Sequence, residues 1–195
     1  MEKMIKQTLL LLSLVTMIYN KTMAQDNEII RAGLIRAQMT ISPSTLLVEE
    51  GSFFYLHGNL EGYVSEKVSI SGDTYFYLGK LSENNSPFEY NHKLFFGANW
   101  HFTNGNSDLY VGVQPGISVT KLNIITPLLV ESGANVGVNP LFSSVIGYHY
   151  YVNNYFHFFA QSRIILGQHH HDVVVNISEW TFSAGLGFNI NSIKK

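Results

Sequence analysis

Cysteine is absent from the 195-residue chain, which excludes disulfides, thiolate metal ligands, cysteine nucleophiles and a lipid-modified N-terminal cysteine. Charge is scarce as well, because 13% of the residues are charged against roughly 25% in ordinary soluble domains. The net charge of −2 gives no indication of a nucleic-acid partner or an anionic surface. Beyond residue 24, no apolar run reaches the ~20 residues that a membrane-spanning helix needs. Aromatic residues (13%) and 16 glycines are plentiful instead, and this composition favours β-structure.

The first 24 residues have the three parts of a secretory signal peptide. Lys3 and Lys6 form a positive start, an apolar core runs from Leu9 to Tyr19, and Thr22-Met23-Ala24 has the small-x-small pattern of a cleavage site. The alternative is a single membrane-spanning anchor, but the apolar core is only about a dozen residues long, short of the ~20 required. We therefore expect cleavage after Ala24 and one domain over residues 25–195.

The remainder of the chain contains eight segments in which apolar and polar side chains alternate. This period of two is typical of strands whose two faces meet different surroundings. Between the segments, short turns alternate with longer loops, as in an up-and-down barrel with both termini on the short-turn side. We predict an all-β fold, an eight-stranded antiparallel up-and-down transmembrane β-barrel. The predicted strands are 31–42, 53–64, 67–79, 90–103, 108–121, 138–152, 155–168 and 178–190.

The chemistry of the two faces indicates which one points inward. One face of each strand is apolar and almost free of charge, with aromatic residues near both ends, such as Phe142 and Trp180 at one rim and Tyr148 and Phe156 at the other. An apolar outer band with aromatic girdles around a polar interior is the transmembrane arrangement. A soluble barrel of the lipocalin type, with the apolar face inside, is the alternative.

Two positions depart from regular alternation. The pattern slips between Leu34 and Ile35, so a bulge is expected there to direct Arg36 and Gln38 inward. Pro115 interrupts an otherwise regular strand in a barrel that has no edge, and a local bulge is expected there too.

The inward positions of the predicted barrel carry balanced charges and amides. Unpaired charges in a narrow lumen would be costly, so we expect a connected network of salt bridges and hydrogen bonds. A polar core that fixes the barrel shape is the favoured interpretation, and a gated ion path or a small-ligand pocket is the alternative. The predicted members of this lumen network are Arg36, Glu61, Asp73, Lys93, Gln114, Gln161, Arg163 and Glu179.

Histidines and serines were considered as sources of chemistry. His57, His101, His149 and His157 fall on inward faces, where hydrogen-bonded interior histidines are more frequent than metal ligands. The run His169-His170-His171-Asp172 lies in a long loop, without spacing that fixes a metal geometry. Ser143, Ser144, His149 and Ser162 form no evident nucleophile–base–acid arrangement. We therefore assign no catalytic residue, metal or cofactor.

One long loop is unusually apolar for an exposed segment. It contains Ile124, Ile125, Leu128 and Leu129. Large exposed apolar patches often mark contacts with partners, so this loop is the candidate contact with a protein or a lipid. The alternative is that the two flanking strands extend beyond the membrane and pair with each other.

The hairpin Gly147–Phe156 and the closing strand Phe182–Ile190 carry a resemblance to the small outer-membrane β-barrel proteins, which include the membrane domain of OmpA-type proteins. The chain departs from that pattern because Asn191 to Lys195 follow the closing strand. The resemblance implies location in a Gram-negative outer membrane, contact with outer-membrane lipid, insertion by the barrel-assembly machinery and a monomeric barrel. It implies a structural or surface-interaction role, with a narrow channel or a lipid-modifying enzyme as alternatives.

Overall fold

The computed structural model describes residues 29–81, 87–123, 135–171 and 173–191. Over these residues the chain forms nine strands, and no helix among them is long and apolar enough to cross a membrane. The strands are β1 (Leu34–Leu46), β2 (Ser52–Tyr63), β3 (Val68–Lys80), β4 (Phe88–Asn104), β5 (Ser107–Leu122), β6 (Val136–Tyr151), β7 (Phe156–His169), β8 (Val175–Asn176) and β9 (Glu179–Asn191).

Eight of these strands close into a barrel. Each strand from β1 to β7 pairs antiparallel with the next, β7 pairs with β9, and β9 returns to β1. The two-residue β8 lies outside this ring and pairs with the end of β7. The predicted eight-stranded antiparallel up-and-down barrel is therefore confirmed. The barrel strands match the predicted segments to within four residues at each end.

The connections differ at the two ends of the barrel. Tight turns join β2 to β3, β4 to β5 and β6 to β7, and Gly105 in the second of these adopts a φ of 55°, which residues with a Cβ rarely take. The other connections are longer, and β8 belongs to the last of them. We call the two ends the short-turn end and the long-loop end. β1 begins and β9 ends at the short-turn end.

Both predicted bulges are wrong. β1 begins at Leu34, after a turn in which Gly33 has a φ of 77°, and it keeps one register with β2 from Ile35 to Thr45. Arg36 faces inward without a bulge because Leu34 does so too. Around Pro115, β5 keeps its register with β6, and its ladder with β4 is interrupted opposite Phe96 without any shift. A proline therefore costs the sheet local hydrogen bonds and not its register.

Register shifts occur elsewhere, between Phe54 and Tyr55 on β2 and between Phe88 and Tyr90 on β4. Both lie near the long-loop end. The shift on β4 moves the inward face by one residue, since Phe88 and Asn91 are both buried. In β6 the alternation is perfect, with every second residue from Gly137 to Tyr151 buried.

Candidate functional site

The interior of the barrel holds most of the buried polar groups. Among the described residues, four cations (Arg31, Arg36, Lys93, Arg163) and four carboxylates (Glu61, Asp73, Asp108, Glu179) are buried. The predicted network members Gln114 and Gln161 are buried as well. All eight side chains predicted for the lumen therefore lie inside the barrel. They fall into three groups along its axis.

The first group lies toward the short-turn end and is organised around Arg36 and Glu61. The guanidinium of Arg36 donates through Nη2 to Glu61 Oε2 and lies 3.4 Å through Nη1 from Asp108 Oδ2. His101 bridges the same two carboxylates, with Nε2 at 3.2 Å from Glu61 and Nδ1 at 2.9 Å from Asp108. The hydroxyl of Tyr63 donates to Asp108. The group joins β1, β2, β4 and β5 across the lumen.

The second group occupies the middle of the lumen. Arg163 on β7 contacts Asp73 on β3 at 2.8 Å, and Asp73 also accepts a hydrogen bond from His57 Nε2 at 2.8 Å. Arg163 donates to Gln114 Oε1 at 2.6 Å. Gln161 donates to the Tyr75 hydroxyl and accepts from the Tyr110 hydroxyl. The planar guanidinium of Arg163 thus serves two partners at once, Asp73 through Nη2 and Gln114 through Nη1, as its fixed fork of donors allows.

The third group lies nearer the long-loop end and centres on Glu179 of β9. Lys93 Nζ approaches its Oε2 at 2.7 Å and stands 3.9 Å from the centre of the Tyr55 ring. Ser44, Tyr55 and Asn91 each donate a further hydrogen bond to the carboxylate. These donors compensate the loss of solvation that burial imposes on the charge.

Around the third group, in the part of the lumen nearer the long loops, lies an apolar cluster, two of whose members, Leu46 and Ile165, pair directly with Glu179 across the sheet. We call this region the apolar plug. It is closed from above by the last long connection, since the backbone amide of Leu47 donates to the carbonyl of Ser178 and the amide of Ile177 donates to the carbonyl of Gly167. The plug consists of Leu46, Phe53, Phe88, Phe95, Leu122, Leu141, Ile165 and Ile177, all buried and in mutual contact with Tyr55 and Tyr75.

Two buried histidines lie beside each other at the level of the first group, where His149 pairs with Asp108 and His157 with Tyr151 across the sheet. The rings of His149 and His157 are 5.1 Å apart. His149 Nε2 contacts Gln38 Nε2 at 3.0 Å, and His157 Nδ1 contacts Asn189 Oδ1 at 2.6 Å. No group of three or more His, Asp or Glu residues suited to a metal ion occurs in the part of the chain that the structure describes.

Sequence reasoning missed one arrangement with the shape of a catalytic triad. Ser69 Oγ lies 2.8 Å from His101 Nε2, and His101 Nδ1 lies 2.9 Å from Asp108 Oδ1. The hydroxyl of Ser69, however, donates to Glu61 Oε1, and Ser69, His101 and Asp108 are all at most 1% exposed. The hydroxyl proton of Ser69 is thus directed at Glu61 and not at His101, and the burial of all three side chains separates the hydroxyl from the surface of the barrel.

The serines considered in the sequence do not meet a histidine base. Ser143 faces inward and hydrogen-bonds to Arg163 and the carbonyl of Gln114. Ser144 and Ser162 lie on the outer face, where Ser162 Oγ accepts from the indole of Trp180 at 2.7 Å. His149 lies on the other side of the sheet, in the lumen.

The remaining predicted residues belong to the loops and to the N-terminal segment. His169 is buried and its Nδ1 lies 3.2 Å from Asn139, whereas His170 and His171 are exposed. The predicted signal peptide and the apolar loop residues Ile124, Ile125, Leu128 and Leu129 lie outside the described residues.

The sequence analysis also missed Asp108 and Arg31 as interior charges. Asp108 opens β5 directly after a turn, and Arg31 precedes the first strand, where its guanidinium donates to the carbonyl of Gly105 at 2.7 Å. A usable signal was present for Asp108, because it lies two positions before Tyr110 and therefore shares its inward face.

No protein-family model and no curated protein sequence matches the chain, but solved structures do. Neisserial surface protein A aligns with a TM-score of 0.61 at 11% identity, over 81% of this chain and 96% of that one. The outer membrane protein OprG from Pseudomonas aeruginosa gives 0.61 at 10%, over 84% and 98%. The chain has the fold of the small outer-membrane β-barrels. The N-terminal β-barrel domain of Pseudomonas aeruginosa OprF gives 0.55 at 14%, over 82% and 98%.

Proposed function

We propose that this barrel is an integral outer-membrane protein with a closed lumen, which acts as a structural or surface-interaction component and not as an enzyme. On this proposal the short-turn end is periplasmic and the long-loop end is extracellular. The observation that carries it is the outer face of the barrel, which is apolar over a height equal to that of a bilayer core.

The height follows from strand geometry. A two-residue step along a strand measures about 6.8 Å, and a tilt of about 40° leaves about 5 Å of it along the barrel axis. The outward side chains of β7 from Phe156 to Leu166 span five such steps, about 26 Å, which matches the ~25 Å apolar band of outer-membrane barrels. Outward charges begin beyond the band, at Lys80, Glu89 and Lys121 near the extracellular ends of the strands.

The closed lumen supports a structural role. Eight strands leave a lumen just wide enough for side chains to fill, and here ion pairs occur along the lumen, with the apolar plug packed around the pair of Lys93 and Glu179 in the extracellular part. A narrow channel is the second candidate, favoured by the four buried cations and four buried carboxylates. Single-channel recording in planar bilayers distinguishes the two: the closed barrel gives no steps, and steps whose size changes in Lys93→Met would favour the channel.

A non-catalytic role is supported by the surroundings of Ser69, whose hydroxyl donates to a carboxylate. Lipid A from cells that carry or lack the gene should give the same mass spectrum. A difference that Ser69→Ala abolishes would overturn this part of the proposal and favour a lipid-modifying enzyme.

For partners, we propose outer-membrane lipid around the band, the barrel-assembly machinery acting on the closing strand β9, and a monomeric state. The monomer is supported by the closed ring of strand pairs, since a barrel has no free strand edge for pairing with a second chain. A surface partner would meet the long loops, and Neisserial surface protein A, which has the same fold, is a surface protein by name.

The decisive test is membrane fractionation combined with gel migration before and after boiling. We expect the protein in the outer-membrane fraction, with a band that shifts on heating because the closed barrel resists detergent until it is boiled. Recovery in the soluble periplasmic fraction, with no shift, would reverse the assignment of the inner and outer faces.

A further inference from the structure

The outer face of the barrel has a groove of about 530 Å³ that crosses five strands from β3 to β7. Its lining is apolar apart from two serine hydroxyls, and it includes Val68, Ala98, Trp100, Val113, Ser144 and Ile164. A convex barrel surface acquires such a groove where small side chains form a floor between larger ones. Here Ala98 and Ser144 lie among Trp100, Ile146 and Ile164.

The strand registers give the direction of the groove. Val68 pairs with Trp100, Trp100 with Val111, Val111 with Ile146, and Ile146 with Ser162. A parallel row runs from Ala98 through Val113 and Ser144 to Ile164. The groove therefore follows two neighbouring rows at right angles to the strands. Five strands at about 4.8 Å spacing make it about 19 Å long.

The groove rises from the periplasmic boundary toward the centre of the bilayer. Val68 is the first residue of β3 and lies at the short-turn end, whereas Ser162 lies three two-residue steps into β7 from Phe156. At about 5 Å of height for each step, the far end lies about 15 Å above the near end. A hydrocarbon chain anchored at the periplasmic surface would have the same course.

A cation stands at the low end of the groove. Lys67 is exposed, immediately precedes Val68, and its carbonyl accepts a hydrogen bond from the amide of His101, next to Trp100. The neighbouring carboxylate of Glu66 is engaged elsewhere, since it accepts from the backbone amides of Arg31 and Ala32. The backbone of Lys67 thus adjoins the first residue of the groove, and its long, exposed side chain can turn toward a phosphate where the groove reaches the membrane surface.

We propose that this groove binds one anionic glycerophospholipid of the periplasmic leaflet, with an acyl chain along the two rows and the phosphate against Lys67. The inference rests on the proposed membrane insertion of the barrel. The uncharged lining matches an acyl chain, and the cation of Lys67 at the boundary matches the head group.

The test uses Trp100 as a reporter. The chain has two tryptophans, so Trp180→Phe leaves Trp100 alone, and the full-length barrel in this background is inserted into phosphatidylcholine vesicles. Trace phosphatidylglycerol or trace phosphatidylcholine is added, each brominated midway along its acyl chains. We expect stronger quenching by the phosphatidylglycerol, a preference reduced roughly fivefold by Lys67→Gln, and quenching reduced to the bulk level by Ala98→Phe.

Matched controls are present in the same barrel. Ala37 is outward and exposed on β1, away from the groove, and Lys80 lies at the extracellular end, so Ala37→Phe and Lys80→Gln should keep the wild-type preference. Suppose that the two lipids quench equally in a barrel whose band still shifts on heating. This result would contradict the binding of an anionic lipid in the groove, and the proposal of a membrane barrel would stand. A protein that does not insert into the vesicles and shows no shift would instead overturn the proposed function.

Discussion

The two halves of the lumen are filled by different kinds of chemistry. The half nearer the short turns, the polar half, is packed with paired charges and hydrogen bonds around Glu61 and Asp73, whereas in the half nearer the long loops the apolar plug around Phe53 and Ile165 surrounds the pair of Lys93 and Glu179. Side chains fill both halves. The polar half is stable only while each charge keeps its partner, whereas the plug depends on volume and tolerates apolar exchange.

The two halves also differ in whether their contacts fix the register of the strands. Hydrogen-bond directions in the polar half tie particular strands together across the lumen, so that a shift of register would leave several charges without partners. The plug sets no such condition. The two register shifts of the sheet, at Phe54/Tyr55 and Phe88/Tyr90, both lie beside the plug.

The largest effect is expected at Glu61, a carboxylate of the polar half that contacts several side chains at once. Glu61→Leu removes an acceptor from Arg36, His101, Ser69 and Asn99, and should lower the free energy of unfolding by about 3–5 kcal/mol. Urea titration of the barrel in lipid vesicles measures it. Glu89→Leu, at an exposed ion pair with Lys121, serves as the control and should leave the urea midpoint unchanged. Equal midpoints for the two variants would remove the distinction between the halves.

A somewhat smaller loss is expected from the plug. Phe53→Ala leaves a cavity among Phe88 and Tyr77 and should cost about 3 kcal/mol, measured by the same titration. Phe76→Ala, at an outward ring that is 59% exposed, should cost less. Because the polar half still closes the lumen, Phe53→Ala should also give no current in planar bilayers. Current through this variant would mean that the plug alone closes the barrel.

Packing of the inward glycines tests how tightly the polar half is filled. A Cβ on Gly187 would lie 2.3 Å from His157 Nε2 and 3.0 Å from Gln38 Cγ, so Gly187→Ala should lower the free energy of unfolding by about 1–3 kcal/mol. Gly62 lies on the outer face, between the buried Glu61 and Tyr63, and its Cβ would meet nothing within 4 Å, so Gly62→Ala is the control and should not destabilise. Equal stabilities of the two variants would mean that the polar half is packed more loosely than its hydrogen bonds indicate.

The smallest effect is expected at Ser69. Ser69→Ala removes one hydrogen bond to Glu61, while Arg36 and Asn99 remain as donors to it, so the loss should be about 1 kcal/mol. Thermal unfolding in detergent measures it. A loss as large as that of Glu61→Leu would show that the serine, and not the carboxylate, organises the group.

Much of this fold follows from the sequence because alternation with a period of two encodes both strand and face. The inward positions of Arg36, Lys93 and Arg163 are examples, and each lies where its strand pattern places it. The partners within the lumen could not be predicted in the same way. Contacts between Arg163 and Asp73, or between Lys93 and Glu179, depend on the shear of the barrel, which is the register offset at which the sheet closes. No local sequence pattern encodes this shear.

The errors have local causes. The expected bulge near Leu34 came from extending the first strand back to residue 31, through a turn made by Gly33. The apolar plug escaped notice because Phe53 and Phe95 occupy inward positions that are polar elsewhere on the strands. Ile177 closes the plug from a connection that was expected to be a solvated loop.

The ion pairs that cross the lumen join strands far apart in the chain: Arg36 with Asp108, Arg163 with Asp73, and Lys93 with Glu179. None of these contacts can form until most of the sheet has curled round, so they arise late during folding. Late contacts act on the unfolding rate and leave the folding rate almost untouched. The charges in the lumen therefore set how long a folded barrel persists in the membrane, and how quickly it assembles depends on the strand hairpins.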